Sequence, residues 1–85
     1  MKRTSLHLAV LNNNPSSIEL LMEEGADPNS QDIDLCTPLH YAIEYGHIKI
    51  LEKFMEYKNV DLSLRNHQKM TPMDCCRDRK AYSLL

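Results

Sequence analysis

The feature that most constrains the fold is a six-residue segment that occurs three times at nearly equal spacing. The fullest version is Thr37-Pro38-Leu39-His40-Tyr41-Ala42, the earlier version is Thr4-Ser5-Leu6-His7-Leu8-Ala9, and the later version is Thr71-Pro72-Met73-Asp74-Cys75-Cys76. The threonines are 37 − 4 = 33 and 71 − 37 = 34 residues apart. A period of this length indicates an array of stacked repeats, each of which is one small supersecondary unit.

Each complete unit is predicted to contain two short helices. In the first unit, Thr4 can cap a helix through its hydroxyl, and Pro15 suits the first turn of a second helix that ends at Gly25. The second unit repeats this arrangement from Thr37, and apolar residues recur at helical spacing throughout. We therefore predict an all-α chain that forms a single domain, residues 1–85, with repeats at approximately 4–36 and 37–70 and a partial repeat at 71–85.

The repeated segment resembles the Thr-Pro-Leu-His-x-Ala signature of the ankyrin-repeat family, which has a 33-residue period. Further matches occur at Gly25-Ala26-Asp27 and Asp32 in the first unit, and at Gly46-His47 and Leu51 in the second. The resemblance implies an ankyrin-repeat solenoid of stacked helix-turn-helix units, each followed by a projecting β-turn finger. The sequence departs from the family at two kinds of glycine position: Leu35 and Lys69 in the fingers, and Asn13 and Lys80 between the helices. These departures fall on the turns and not on the helices.

In most ankyrin proteins the fingers and first helices line a concave face that binds a partner. By this resemblance, the predicted partner-binding residues are Ile33, Asp34, Cys36, Tyr41, Glu44, Tyr45, His67, Gln68, Met70, Asp78 and Arg79. The resemblance also implies that Tyr41 and Tyr45 are exposed, and we predict that they form a hot spot, because aromatic anchors dominate interface energetics. An alternative interpretation is that both tyrosines are half-buried structural residues. A separate resemblance concerns Asn29, which is similar to the asparagine that intracellular asparaginyl hydroxylases modify in many ankyrin repeats.

Composition argues against several classes of partner. The 10 basic and 12 acidic residues give a formal charge of −2, so the sequence has no cationic footprint for nucleic acid or for an anionic membrane surface. No apolar run reaches the roughly 18 residues that a membrane span requires. The three cysteines are odd in number, and Cys75 adjoins Cys76, so we expect reduced thiols. Reduced thiols, and the short amphipathic segment that follows Met1-Lys2-Arg3 in place of a long apolar one, predict an intracellular location. We expect it to be cytoplasmic rather than nuclear.

The sequence also offers little for catalysis or metal binding. Two glycines in the chain are too few for a glycine-rich phosphate loop. By the family resemblance, His7 and His40 are expected to hydrogen-bond the turns beside their helix caps, and the sequence shows no catalytic triad. A zinc site built from Cys36, His67, Cys75 and Cys76 would lack any Cys-x-x-Cys spacing. We therefore expect a non-enzymatic chain without a cofactor.

Two functions remain open from the sequence. The first is a protein-protein interaction module that binds another protein through the concave face. The second is a structural fragment or subunit that completes a larger ankyrin array or self-associates. Because no finger precedes the first unit, Leu6 and Leu8 are expected to be exposed. Arg77 replaces an inward-facing apolar residue, which predicts that the third unit is terminal.

Overall fold

The computed structural model describes residues 3–75, which form two helix pairs placed side by side. The elements are α1 (Ser5–Leu11), α2 (Pro15–Glu23), α3 (Pro38–Glu44), α4 (Ile48–Met55) and a 3-10 helix at Met73–Cys75. Helix α1 packs on α2 and α3, helix α4 packs on α2 and α3, and the 3-10 helix packs on α3. Residues 3–75 contain no strand, and the prediction of an all-α fold is confirmed.

Both first helices begin with the same interlocked cap. The Thr37 hydroxyl accepts a hydrogen bond from the His40 backbone N–H at 3.3 Å, and the Thr37 N–H donates to His40 Nδ1 at 3.0 Å. Thr4 and His7 make the same two bonds at 3.3 and 3.1 Å. This is a capping box in which histidine replaces the usual glutamate or glutamine. The cap fixes where each first helix starts.

The same histidines also join the helix starts to the segments that follow each unit. His7 Nε2 lies 2.7 Å from the Cys36 carbonyl oxygen, and His40 Nε2 lies 2.9 Å from the Met70 carbonyl oxygen. A carbonyl oxygen can only accept, so Nε2 holds the proton and Nδ1 accepts from the threonine. The prediction that these histidines hydrogen-bond nearby turns is confirmed.

Each helix pair is followed by a tight turn that we call a finger. In the first finger, residues 32–36, the Asp32 N–H donates to the Cys36 carbonyl at 3.0 Å. In the second, residues 66–70, the Asn66 N–H donates to the Met70 carbonyl at 2.9 Å.

The residues that replace glycine at two finger positions and one interhelix position keep the backbone conformation that glycine favours. The φ angles are +52° at Asn13, +61° at Leu35 and +65° at Lys69. The turns are therefore retained at some cost in backbone strain, while Lys80 lies outside the described residues.

The core lies between the two helix pairs. Its buried apolar members are Leu6, Ala9, Val10, Ile18, Cys36, Leu39, Tyr41, Ala42, Ile43, Ile50, Leu51 and Phe54. The expected exposure of Leu6 is wrong, because its side chain is only 1% exposed and belongs to this core, against which Leu21 and Ala26 also pack. Leu8 points outward and is 50% exposed, as predicted. The position of Arg77 lies outside the described residues.

Candidate functional site

The two fingers, α3 and the 3-10 helix surround a groove of about 450 Å³, which we call the finger groove. Its lining residues are Arg3, Asp34, Cys36, Tyr41, Glu44, Tyr45, Asn66, His67, Gln68, Met70, Asp74 and Cys75. Most of the predicted partner-binding residues are in this set. Ile33 is not, although its side chain is 77% exposed on the first finger. Asp78 and Arg79 lie outside the described residues.

The first finger is held by a buried carboxylate. Asp32 Oδ1 accepts hydrogen bonds from the backbone N–H groups of Asp34 at 2.9 Å and Cys36 at 3.0 Å. Two N–H groups bound to one oxygen close the loop around the aspartate, as in other Asx turns. Asp32 is 0% exposed, so this arrangement positions Asp34 at the edge of the groove.

The second finger has the same construction with an amide in place of the carboxylate. Asn66 Oδ1 accepts from the N–H groups of Gln68 at 2.9 Å and Met70 at 3.1 Å. The fingers are joined by a bond from the His67 N–H to the Asp34 carbonyl oxygen at 2.8 Å. The groove residues of both fingers therefore have defined relative positions.

Tyr41 is not the exposed anchor that the sequence suggested. Its side chain is only 5% exposed, and its hydroxyl donates to the Asp32 carboxylate. The ring also meets His7 edge-on, with 5.9 Å between centroids. The prediction of exposure is wrong because a buried carboxylate needs hydrogen-bond donors. No spacing rule in the sequence links Asp32 to Tyr41, nine residues later.

The pKa shifts of Asp32, Tyr41 and Cys36 fit a structural role for these three residues. Burial alone would raise the pKa of Asp32, but hydrogen bonds from the Tyr41 hydroxyl and from the N–H groups of Cys36 and Asp34 outweigh it and lower the pKa. Burial, followed by the bond to Asp32, raises the pKa of Tyr41. Burial likewise raises the pKa of the Cys36 thiol. A thiol with a raised pKa is a poor nucleophile.

Sequence reasoning missed Arg3 as a groove residue. Its Nε lies 3.7 Å from Asp32 Oδ2, and its guanidinium carbon lies 5.4 Å from the centre of the Tyr41 ring. No spacing rule links residue 3 to residues 32 and 41, because the contact arises only when the units stack. Arg3 therefore supplies the groove with a cation whose charge is partly matched by Asp32.

Tyr45 provides the exposed aromatic surface of the site. It is 55% exposed and stacks on Tyr41, with 6.3 Å between centroids and 10° between the ring planes. The buried ring of Tyr41 thus supports the exposed ring of Tyr45. The two tyrosines that the sequence treated as a pair have different roles, since one is part of the core and the other faces solvent.

Asn29, the candidate for modification, connects the loops after the two helix pairs. Its Nδ2 donates to the Asn59 carbonyl at 2.8 Å, and its Oδ1 accepts from the Asp61 N–H at 2.7 Å. Both ends of the amide are therefore engaged.

No group of three or more histidine, cysteine, aspartate or glutamate side chains within residues 3–75 is arranged to hold a metal ion.

The geometry agrees with comparisons to known proteins. A family model of ankyrin repeats matches residues 6–84 in three copies. The chain belongs to the ankyrin-repeat family. Ankyrin repeats are generally protein-protein interaction modules and are typically non-enzymatic.

Similar ankyrin proteins are considerably longer than this chain. Mouse Rabankyrin-5 is 36% identical over 78 residues, which is 92% of this chain and 7% of that protein. A putative ankyrin repeat protein of fowlpox virus is 34% identical over 87 residues, covering 96% of this chain and 25% of the viral protein. The ankyrin repeat domain of Bcl-3, a solved structure, superposes with a TM-score of 0.91 at 30% identity. That match covers 96% of this ankyrin chain and 36% of the Bcl-3 chain.

Proposed function

We propose that this chain is a non-enzymatic interaction module that binds another protein through the finger groove and the adjoining finger tips. The observation that supports this most is that most of the predicted partner-binding residues line one groove. Tyr45 and Ile33 add exposed apolar surface beside it, at 55% and 77% exposure. Exposed aromatic and aliphatic side chains on a rigid scaffold are typical of interface anchors.

The histidines of the helix caps give little support to an enzyme. Both ring nitrogens of His7 and of His40 are engaged in the caps and inter-unit bonds, so neither is available as a general base. Nucleic acid is a poor partner for a groove that contains Asp34, Glu44 and Asp74. Among residues 3–75, no helix has both the length and the apolar character that a membrane span needs.

The proposal can be tested by site-directed photocrosslinking. A benzoylphenylalanine is introduced at Tyr45 in the full chain, and at Lys49 on the exposed surface of α4 as the matched control. We expect adducts with a specific protein from position 45 and none from position 49. The variant Tyr45→Ala should weaken binding of that protein at unchanged helicity, because the side chain is 55% exposed and the backbone N–H that caps α3 is kept. Equal crosslinking from both positions would refute use of the groove.

A second candidate function is assembly with further repeats or with another copy of the chain. The open face of α1 and α2 contains Leu8 and Leu20, which are 50% and 58% exposed. The residues one period later, Tyr41 and Lys53, contact the first unit through Asp32 and Glu19 respectively. The open face is thus the one on which a preceding unit would pack. Sedimentation velocity should then show a concentration-dependent mass that Leu20→Lys abolishes, and a monomer at high concentration would exclude self-association.

Two narrower expectations also remain proposals. Asn29 is a potential substrate for an asparaginyl hydroxylase, which peptide mass spectrometry after incubation with such an enzyme would detect. The free thiol of the buried Cys36 agrees with an intracellular location.

A further inference from the structure

The molecule contains its own example of how the finger groove can hold a cation. The guanidinium of Arg3 lies over the Tyr41 ring at 5.4 Å and beside the Asp32 carboxylate at 3.7 Å. A cation above an aromatic face gains from the quadrupole of the ring, and a neighbouring carboxylate adds direct attraction. One end of the groove is therefore occupied by a cation, a carboxylate and a tyrosine.

Elsewhere in the groove, the described residues include an aromatic ring and two carboxylates that have no lysine or arginine paired with them. Tyr45 stacks on Tyr41 and is 55% exposed. Asp34 and Glu44 are exposed and also line the groove. Within residues 3–75, neither carboxylate takes part in an ion pair, since the pairs there are Arg3 with Asp32 and Lys53 with Glu19.

The charge of the residues that line the groove favours a positively charged partner. Three carboxylates, those of Asp34, Glu44 and Asp74, line the groove. Arg3 is the one lysine or arginine among the described lining residues, and its charge is partly matched by Asp32. Complementary potential selects partners and speeds their association. An acidic segment would meet repulsion here, whereas a basic one would be attracted.

The residues that line the groove also favour one backbone conformation of the partner. They come from both fingers, α3 and the 3-10 helix, so the groove crosses adjacent units. Polar side chains such as Asn66, His67 and Gln68 are interspersed with Met70 along it. A purely apolar helix would leave these groups unsatisfied, while an extended peptide offers backbone groups to bond with them.

We infer that the finger groove binds an extended, basic segment of a partner protein, in which a lysine or arginine side chain is recognised by Asp34, Glu44 and the ring of Tyr45. This inference rests on the proposed function and specifies the chemistry of its partner.

The test uses three capped peptides of equal length, titrated into the full, isotopically labelled chain and followed by backbone amide NMR shifts. One peptide alternates arginine with serine, one alternates glutamate with serine, and one contains only serine and alanine. We expect saturable shifts at Asp34, Tyr45 and His67 with the arginine peptide alone. We expect its affinity to fall when salt is raised, since the recognised carboxylates are exposed.

Variants of the groove and of the opposite surface separate specific binding from a general effect of charge. The double variant Asp34→Asn with Glu44→Gln should weaken the arginine peptide about tenfold, because both removed charges face it. The matched control, Glu23→Gln with Glu52→Gln, removes the same charge from exposed positions on α2 and α4. It should change the affinity by less than about twofold. Tyr45→Ala should weaken binding about fivefold through loss of the ring.

Each outcome bears on the inference separately from the proposed function. Equal weakening by the groove variant and its control would overturn the inference, because binding would then follow net charge. Groove shifts with the neutral or acidic peptide at equal affinity would also overturn it, while leaving the groove as a protein-binding site. If no peptide shifts the groove amides, basic-segment recognition is refuted, and crosslinking from position 45 still decides the proposed function.

Discussion

The buried carboxylate of Asp32 allows a prediction that can be compared with Asn66, the matching residue of the second finger. Asp32 Oδ1 holds two finger N–H groups, while Oδ2 accepts the Tyr41 hydroxyl. Asn66, at the matching place in the second finger, holds two N–H groups with an amide oxygen at 2.9 and 3.1 Å. Asp32→Asn should therefore preserve the finger and weaken only the contacts of Oδ2 with Tyr41 and Arg3. Asp32→Ala should lose the finger bonds as well.

The expected magnitudes follow from the bonds that each variant removes. A hydrogen bond to a charged group contributes about 1.5–3 kcal/mol, so Tyr41→Phe should cost about that much. Asp32→Asn should cost about 1–2 kcal/mol, because a neutral amide still accepts the two N–H bonds. Asp32→Ala leaves buried N–H groups unpaired and should cost about 3–5 kcal/mol. A domain of this size has a total free energy of unfolding of about 4–13 kcal/mol.

Urea unfolding followed by far-UV circular dichroism measures these differences. The variants Asp32→Asn and Tyr41→Phe remove the same contact, so the cost of the double variant should fall short of the sum of the single costs by more than about 0.5 kcal/mol. Additive costs would refute the pairing of Asp32 with Tyr41. Equal costs for Asp32→Asn and Asp32→Ala would refute the analogy with Asn66.

The pH dependence offers an independent measurement of the same group. The folded pKa of Asp32 is below its ordinary value of 3.8, so the unfolded chain binds the proton more readily. The stabilisation is therefore complete above pH 3.8 and is lost as the pH falls below it and through the folded pKa. Asp32→Asn should reduce this acid-dependent loss of stability. If the variant loses as much stability in acid as the unmodified chain, the loss is not due to Asp32.

Three further predictions concern the core, a turn and a cap. Leu39 is 1% exposed in the core, so Leu39→Ala should lower the free energy of unfolding by about 2–5 kcal/mol, as measured by urea titration. Lys69→Gly should raise stability by about 0.5–1 kcal/mol by relieving the left-handed backbone, whereas Gln68→Gly, at an ordinary φ, should lower it. Burial lowers the pKa of His40, so its contribution is full above its ordinary value of 6.5 and declines as the pH falls below that value. In His40→Gln, the urea midpoints measured at pH 7.5 and at about 5 should differ less than they do in the unmodified chain. An undiminished difference would mean that another group causes it.

The sequence predicted the helices and caps well because these depend on local chemistry. Thr37 and His40 are three residues apart, and Gly25 ends a helix by its own conformational freedom. The exposure of Tyr41 and the place of Arg3 could not be predicted in this way. Both are decided by Asp32, which the stacking of units brings close. Contacts between residues that are distant in sequence depend on the assembled array and leave no spacing rule.

The bonds that His7, His40 and Asn29 make between units do not involve the exposed side chains of the finger groove. His7 and His40 donate to backbone carbonyls in the fingers, and Asn29 bonds to backbone groups of the next loop. These connections use the repeated residues together with main-chain atoms, whose chemistry does not depend on the side chains of the groove. Asp34, Glu44 and Tyr45 have exposed side chains on this frame. Substitutions there should therefore change which partner is recognised while the stability stays within about 0.5 kcal/mol.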